Sequence, residues 1–139
     1  MDDEASPALS LSEPRAKWGD ALGVGFSIVP DVLFKYQHRL GLTPFDVVLL
    51  LNVASHWWKA DELPYPRLSK LAERMGTTPR TIERRVAALE KIGLLRRLPK
   101  ERHEGLAIRR FDLSGLVRQL QELARRDPAY GARGRKMAA

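Results

Sequence analysis

The sequence predicts a mainly α-helical domain that carries one small β-hairpin, an α+β fold. Apolar residues recur at helical spacing in five segments, and glycine or proline stands at the ends of most of them. Between the fourth and fifth segments, apolar and polar residues alternate over a short stretch, as they do in a half-buried strand. Hydrophobic residues make up 44% of the 139 residues, which is enough to bury one core.

The first two predicted helices span residues 30–40 and 44–58. Gly41 stands just past the end of the first helix, where glycine is the favoured residue. Thr43 is suited to cap the second helix, and Asp46 suits the positive end of its dipole. The second helix is apolar on almost every side, so we expect it to be central and buried.

Two further helices are predicted over residues 67–75 and 79–92, with a tight turn between them. Gly76 ends the first of these helices, Thr78 is expected to be the N-cap of the second, and Gly93 ends the second. At 1.5 Å per residue the second helix reaches roughly 21 Å. It is therefore long enough to lie across a DNA groove.

A β-hairpin and one more helix are predicted to follow. Strands are expected over residues 94–98 and 107–113, joined by a polar loop of about seven residues, 99–105. Ser114 is suited to cap a last helix, residues 114–126. The apolar side of this helix either covers the core of the domain or pairs with a second copy of the chain.

Charge and composition divide the chain into three regions. Residues 1–24 are predicted to form a disordered acidic tail, because the first fourteen residues carry four acids and no base. Residues 25–126 are predicted to form the folded domain, and residues 127–139 a flexible basic tail. The acidic tail is a candidate contact for a protein partner.

The balance of charge favours nucleic acid as the partner of this protein. The chain carries 24 Lys and Arg against 17 Asp and Glu, a formal net charge of +7. Residues 66–110 alone hold thirteen basic and five acidic side chains, a net charge of +8. A small and strongly basic domain has nucleic acid as its default partner, with a membrane surface or an acidic protein as the alternatives.

Several classes of protein do not fit this sequence. It has no cysteine and only three well-separated histidines, so we expect no disulfide scaffold, no thiol nucleophile and no metal site. It has no phosphate-binding glycine loop and no catalytic grouping, so we expect neither an enzyme nor a cofactor. The longest apolar run, residues 47–53, is too short to span a bilayer. We therefore expect a cytoplasmic protein that makes no contact with a membrane.

One stretch of the chain resembles a known family of DNA-binding proteins. Residues 71–82 read LAERMGTTPRTI and residues 89–95 read LEKIGLL, which together are similar to the LAxxxG…RTV…LExxGL pattern of bacterial winged helix-turn-helix proteins. Residues 110–116, RFDLSGL, are similar to the YDLSGL segment that closes the wing in one subgroup. That subgroup includes regulators and replication-initiator-like proteins of phages, plasmids and other mobile elements. The resemblance covers residues 43–125 and implies a winged helix-turn-helix with an additional C-terminal helix.

The predicted helix over residues 79–92 has one apolar and one basic side. Because successive residues turn by 100°, Ile82, Val86 and Leu89 share the side that faces the core. The opposite side is basic, so we interpret this segment as a recognition helix for the major groove of DNA. The predicted base contacts are Arg80, Thr81, Arg84 and Ala87. The alternative is an ordinary solvated face with charge pairs one turn apart.

A second set of residues is expected to contact DNA phosphates, which position a protein on DNA and add salt-dependent affinity. Its members are Arg67, Lys70, Arg74, Thr78, Arg85, Lys91, Lys100, Arg102 and Arg109. Adjacent strand residues face opposite sides, so only about half of the basic residues of the hairpin are expected to meet DNA. The alternative is that these are ordinary surface side chains.

The pair Trp57 and Trp58 at the end of the second predicted helix has two interpretations. Both rings are expected to close the core at that end of the domain. The alternative is that they are stacking platforms for unpaired bases.

These observations predict sequence-specific binding to double-stranded DNA, with the helix over residues 79–92 in the major groove. The favoured role is a bacterial transcriptional regulator, associated with the nucleoid or with a plasmid, that binds an inverted repeat as a homodimer. One alternative is a replication-initiation or partition protein of a plasmid or phage. Another is a winged helix that serves as a protein-interaction module and docks an acidic partner.

Overall fold

A computed structural model describes residues 11–132 of the chain, which divides into two units. The main unit is residues 29–126, and the smaller unit is formed by the chain before residue 29 and after residue 126. In the smaller unit, α1 (Ser12–Trp18) is followed by a 3-10 helix (Gly19–Val24). Part of the predicted disordered tail is thus helical, with Glu13 in the first turn of α1 and basic residues in its last turn, as the helix dipole favours. The acids of residues 2–4 and the basic residues of 133–139 lie outside the described residues.

The main unit begins with a short helix and a long one. α2 (Asp31–Lys35) is shorter than predicted, because the chain continues as hydrogen-bonded turns up to Gly41, whose φ is +84°. α3 (Pro44–Ala54) begins as predicted, with a reciprocal capping box in which Thr43 and Asp46 bind each other's backbone N–H groups.

The end of α3 comes four residues earlier than the predicted end at residue 58. The carbonyl oxygen of Asn52 accepts a bond from the Ser55 hydroxyl at 2.7 Å and lies 3.0 Å from Nδ1 of His56. The backbone N–H of His56 bonds instead to the carbonyl of Val53, at 3.1 Å. Side chains therefore occupy the acceptor that one further helical turn would use.

α3 is central, as its apolar composition predicts. It contacts the two helices that follow in the chain, α4 (Leu68–Met75) and α5 (Pro79–Lys91). Its own Leu49, Leu50 and Val53 are almost completely buried in the core.

The turn between α4 and α5 follows the glycine and threonine signals in the sequence. Gly76 has a left-handed conformation with φ of 66°, and the next N–H, of Thr77, bonds back to the carbonyl of Ala72 at 2.9 Å. Thr78 caps α5 by accepting a bond from the backbone N–H of Thr81 at 3.2 Å. Both helices match their predicted bounds to within one residue.

The hairpin contains two short antiparallel ladders. β1 (Arg96–Arg97) pairs with β4 (Phe111–Asp112), and β2 (Glu101–His103) pairs with β3 (Leu106–Ile108). The predicted seven-residue loop is therefore wrong, because part of it is strand β2. The chain reverses at Glu104 and Gly105, both with positive φ, as in the tight turns that suit the twist of a hairpin.

The last helix, α6 (Ser114–Arg126), packs on the main unit rather than standing apart from it. Leu116 and Leu120 are buried, and α6 contacts α2. Of the two roles predicted for its apolar side, covering the core is the one that these contacts show. Five helices and a small hairpin within residues 29–126 confirm the predicted mainly α-helical fold.

Candidate nucleic-acid interface

The outward side of α5 is a row of basic side chains, here called the basic stripe: Arg80, Arg84 and Lys91, with Ala87 between them. All four residues are exposed, whereas Ile82, Val86 and Leu89 on the opposite side are buried. Within residues 11–132, no ion pair or hydrogen bond engages the three cationic groups. The stripe thus has the arrangement predicted from the 100° turn, with its charges available to an external ligand.

Two threonines at the start of α5 are partly used by the helix itself. The Thr78 hydroxyl accepts the N–H of Thr81 and donates to the Thr81 hydroxyl at 3.1 Å. Thr81 is half-buried and Thr78 is exposed. Both lie beside the basic stripe, but their hydroxyl groups already have a partner within the cap.

Arg85, predicted as a phosphate contact, is bound inside the protein instead. Its Nε donates to Oδ1 of Asp46 at 2.9 Å and its Nη2 to Oδ2 at 2.8 Å, which is a bidentate ion pair. Arg85 lies 100° around the helix from Arg84, on the side that meets α3. We correct the prediction for Arg85, because its guanidinium fixes α5 to the start of α3.

Asp46 is fully buried and depends on these bonds. Burial alone raises the pKa of its carboxyl, but hydrogen bonds from Arg85 and from Thr43 outweigh burial and bring the pKa below its ordinary value of 3.8. The hydrogen bonds to Asp46 raise the pKa of Arg85. The two groups therefore remain a charged pair at neutral pH.

The flank of α5 that faces the hairpin carries two acids. The Glu90 carboxylate accepts the backbone N–H of Arg97 at 2.9 Å, at the start of the hairpin. The half-buried guanidinium of Arg97 lies 5.7 Å from the centre of the Phe111 ring. Its pKa is lowered by burial and by nearby Arg109, while Glu83 and Glu90 act in the opposite direction. These acids therefore hold the hairpin against α5.

Most basic residues of the hairpin are engaged within it. Arg96 pairs with Asp112 at 3.5 Å, and Arg110 pairs with Glu101 at 3.1 Å while donating to the carbonyl of Leu63 at 2.7 Å. Sequence alternation alone does not indicate these partners, since Asp112 and Glu101 lie across the hairpin and Leu63 lies on another segment.

Arg109, the second predicted phosphate contact that needs correction, folds back over the hairpin. Its Nε donates to the carbonyl of Leu98 at 2.8 Å and its Nη2 to the carbonyl of Arg97 at 3.4 Å. The side chain joins the two strands where the ladders are interrupted. We correct the prediction because this guanidinium satisfies main-chain acceptors in the hairpin.

Two basic residues of the hairpin remain exposed as predicted. Lys100 and Arg102 are two positions apart, so they share one face, and neither is engaged by a residue of the described chain. Arg102 lies opposite Ala107 in the ladder, and a small side chain there leaves the arginine accessible.

The predicted phosphate contacts of α4 lie at its two ends. Arg67 lines an open groove of about 360 Å³ together with Lys100 of the hairpin. Lys70 lies one turn further on, and Arg74 lies in the last turn of α4; all three residues are exposed. The structure thus brings the start of α4 and the hairpin together into one basic surface.

The structure separates the two adjacent tryptophans. Trp57 is half-buried and packs against the core, as predicted. Trp58 is 79% exposed, so the prediction that it closes the core is wrong. Both residues lie beyond the end of α3 at Ala54, so their side chains no longer follow the spacing of the helix.

The described residues form neither a candidate metal site nor a candidate membrane-spanning helix. Within residues 11–132, no group of three or more His, Asp or Glu side chains is placed to hold a metal ion. No helix described there has the length and apolar character that crossing a membrane requires.

Comparison with known proteins gives one family. No curated protein matches the chain at a significant level. The family model for the DnaD N-terminal domain matches residues 29–128, which include every element from α2 to α6. Since this match covers well over half of the chain, the protein belongs to the DnaD N-terminal domain family, a family of replication-related domains.

Proposed function

We propose that this domain is a winged helix-turn-helix that binds double-stranded DNA in the initiation of replication. The observation that carries the proposal is the basic stripe on α5, whose cations have no described partner within the protein. A solvated helix face commonly mixes charges that pair one turn apart. Here the acids Glu83 and Glu90 lie to one side, toward the hairpin.

In this proposal α5 lies in the major groove with the stripe toward the base edges. Arg80 and Arg84 each present a planar fork that suits the two acceptors of guanine. Ala87 lets the helix backbone come close, and the Thr81 methyl suits a thymine methyl.

The remaining contacts of this proposal are to phosphates. The cations proposed for this role are Arg67, Lys70, Arg74, Lys91, Lys100 and Arg102. They lie on three elements, α4, α5 and the hairpin, and all are exposed. Contacts from separate elements fix how a domain is oriented on DNA without reading its sequence. Thr78 at the N-cap is a weaker candidate because its hydroxyl is engaged.

The sequence alone favours a role in transcription, whereas the family match favours a role in replication. In the replication role proposed here, several copies would line up on repeated sites. A homodimer on an inverted repeat stays a prediction. A protein-interaction module is the competing function, because an acidic protein surface suits the same basic stripe.

The test is binding of the full chain to duplex DNA selected from a random pool, measured by fluorescence anisotropy against an excess of random competitor duplex. We expect Arg84→Ala to lower the preference for the selected site by roughly 1–3 kcal/mol, the value of one bidentate base contact. Arg118→Ala on α6 is the matched control, because Arg118 is also exposed and without an ion pair to any described residue.

Two results would contradict the proposal. One is unchanged affinity and preference in Arg84→Ala, which would place the DNA elsewhere. The other is absence of duplex binding even at low salt, together with tight binding to an acidic protein, which would support the interaction module.

A further inference from the structure

We propose that a groove beside the hairpin binds a short segment of single-stranded DNA, a ligand different from the duplex proposed for α5. This aromatic groove is open and has a volume of about 320 Å³. The lining residues that matter here are Trp58, Tyr65, Arg67, Lys70, Leu106 and Ile108. Unpaired bases would stack on Trp58 and Tyr65, and their phosphates would meet Arg67 and Lys70.

Trp58 presents an indole face to solvent from a fixed position. The chain around it is held by the bond from the Trp57 N–H to the carbonyl of Ala54, at 2.9 Å, and by a β-bridge between Lys59 and Glu62. The His56 ring lies 6.2 Å from the Trp58 ring, centre to centre. A large apolar ring that is 79% exposed contributes little to the core, so its position is not explained by folding.

Tyr65 forms the second platform and is more tightly held. It stands between two buried prolines, Pro64 and Pro66. The Arg110 guanidinium lies 5.0 Å from the centre of its ring, and the His103 ring lies 5.3 Å away. A preorganised ring loses little freedom when a base stacks on it, which favours binding.

The floor of the groove is apolar and is built by one strand. Leu106 and Ile108 are two positions apart on β3, so their side chains share the face that looks into the groove. Leu106 is 59% exposed although it is a large aliphatic residue. An apolar surface in the same groove as two aromatic rings suits the flat faces of bases.

The charge of the groove selects an anionic ligand. None of its eight lining residues is acidic, and Arg67 and Lys70 are exposed, with no ion pair to a residue of the described chain. They lie three positions apart at the start of α4, so they project from the same side of the helix.

The combination of rings and cations distinguishes single-stranded from double-stranded DNA. In a duplex the base faces are stacked on one another and are closed to an aromatic side chain. An unpaired strand offers base faces and phosphates together, and aromatic stacking on it is tolerant of sequence because every base has a π-face. An opened duplex supplies such a strand during initiation.

The test uses the full chain and a fluorescently labelled oligothymidylate of about 15 nucleotides, near the upper site size of small single-strand binding folds. We expect Trp58→Ala to weaken binding roughly 5- to 150-fold, the range for loss of one stacked base, and to leave duplex affinity unchanged. Trp58→Phe should keep most of the affinity, because a phenyl ring still stacks. Trp18→Ala is the matched control, since Trp18 on α1 is 64% exposed and lies in the other unit.

The cations are tested by the dependence of binding on salt. We expect Arg67→Ala and Lys70→Ala each to reduce the slope of log affinity against log salt for the oligonucleotide by about 0.7. An unchanged affinity in Trp58→Ala would overturn the proposal and leave the groove to a protein partner. Equal losses of affinity for single-stranded and duplex DNA in Trp58→Ala would also overturn it, because Trp58 has no part in the duplex site. Arg67 and Lys70 do not serve this comparison, since they are proposed to contact phosphates of both ligands. Arg84→Ala distinguishes failure of one proposal from failure of the other. Unchanged duplex affinity and preference in Arg84→Ala would contradict only the duplex proposal, because Arg84 does not line the aromatic groove.

Discussion

Arg84 and Arg85 are adjacent in the chain but have opposite environments. Arg84 is exposed on the basic stripe, while Arg85 is bound to the buried carboxylate of Asp46. The 100° between successive helical residues separates them. The chemistry of an arginine in this domain therefore depends on its position around the helix more than on the local density of charge.

The ion pair gives the first prediction. Arg85→Ala should lower the free energy of unfolding by about 3 kcal/mol at neutral pH, because it leaves the Asp46 carboxylate buried without its partner. The value lies at the low end for a buried pair, since 36% of the Arg85 side chain is exposed. The change in unfolding free energy is measured by denaturant titration followed by circular dichroism. Arg84→Ala is the control and should change stability by less than about 0.5 kcal/mol.

The same pair gives a prediction for pH. The pKa of Asp46 is lower in the folded than in the unfolded chain, so its carboxylate stabilises the fold above the ordinary value of 3.8. That contribution is lost as the pH falls below 3.8 and through the lower folded-state pKa. We therefore expect the difference in unfolding free energy between wild type and Arg85→Ala to shrink over this range. A difference independent of pH would mean that the pair does not stabilise the fold through charge.

A third prediction concerns Gly115, near the start of α6. A Cβ atom there would lie 2.0 Å from the carbonyl oxygen of Gly93, which is backbone and cannot rotate away. Gly115→Ala should therefore cost roughly 1–3 kcal/mol or more in unfolding free energy. Gly23→Ala is the matched control, because its Cβ would meet nothing within 4 Å. Equal thermal unfolding midpoints for the two variants would show that α6 can move away from Gly93.

At the scale of elements, the hairpin divides its arginines and lysines between structure and binding. Arg109 donates to carbonyl groups within the hairpin and Arg110 to the carbonyl of Leu63 on another segment. Lys100 and Arg102, in contrast, are exposed on one face. The sequence predicts a hairpin here, but it predicts neither strand β2 nor this division. Partners such as the carbonyl of Leu63, 47 positions from Arg110, come close only when the domain folds.

This division gives a prediction for Lys100→Ala. It should weaken binding to all duplexes alike and reduce the salt slope by about one, because one phosphate contact is lost without loss of a base contact. Its unfolding free energy should stay close to wild type. Arg110→Ala should show the reverse, with lower stability and, at temperatures where it is folded, an unchanged salt slope. An altered sequence preference in Lys100→Ala would place Lys100 at the bases.

At the scale of the whole molecule, the arrangement of bound sites reports the process. If the domain serves initiation, genome-wide footprinting should find it on closely spaced repeats, because several copies must assemble at one place. A single palindrome in a promoter would favour regulation. Half-sites about 34–36 Å apart, one turn of DNA, would support a symmetric homodimer.

The elements of the main unit were largely predictable from the sequence because their signals are local. Thr43 and Thr78 act on groups within three residues, and Gly76 ends α4 through its own backbone conformation. The basic stripe was predictable for the same reason, since helical geometry alone sets which residues share a side.

Only the tertiary structure decided which charges and rings are available to a ligand. Asp46 and Arg85 are 39 positions apart, and no local pattern indicates that they pair. Trp58 turns outward because α3 ends early, and the aromatic groove exists only where β3 packs near the start of α4. Local sequence therefore determined the helices and the basic stripe, while long-range packing determined the partners, because contacts between distant segments form only in the folded chain.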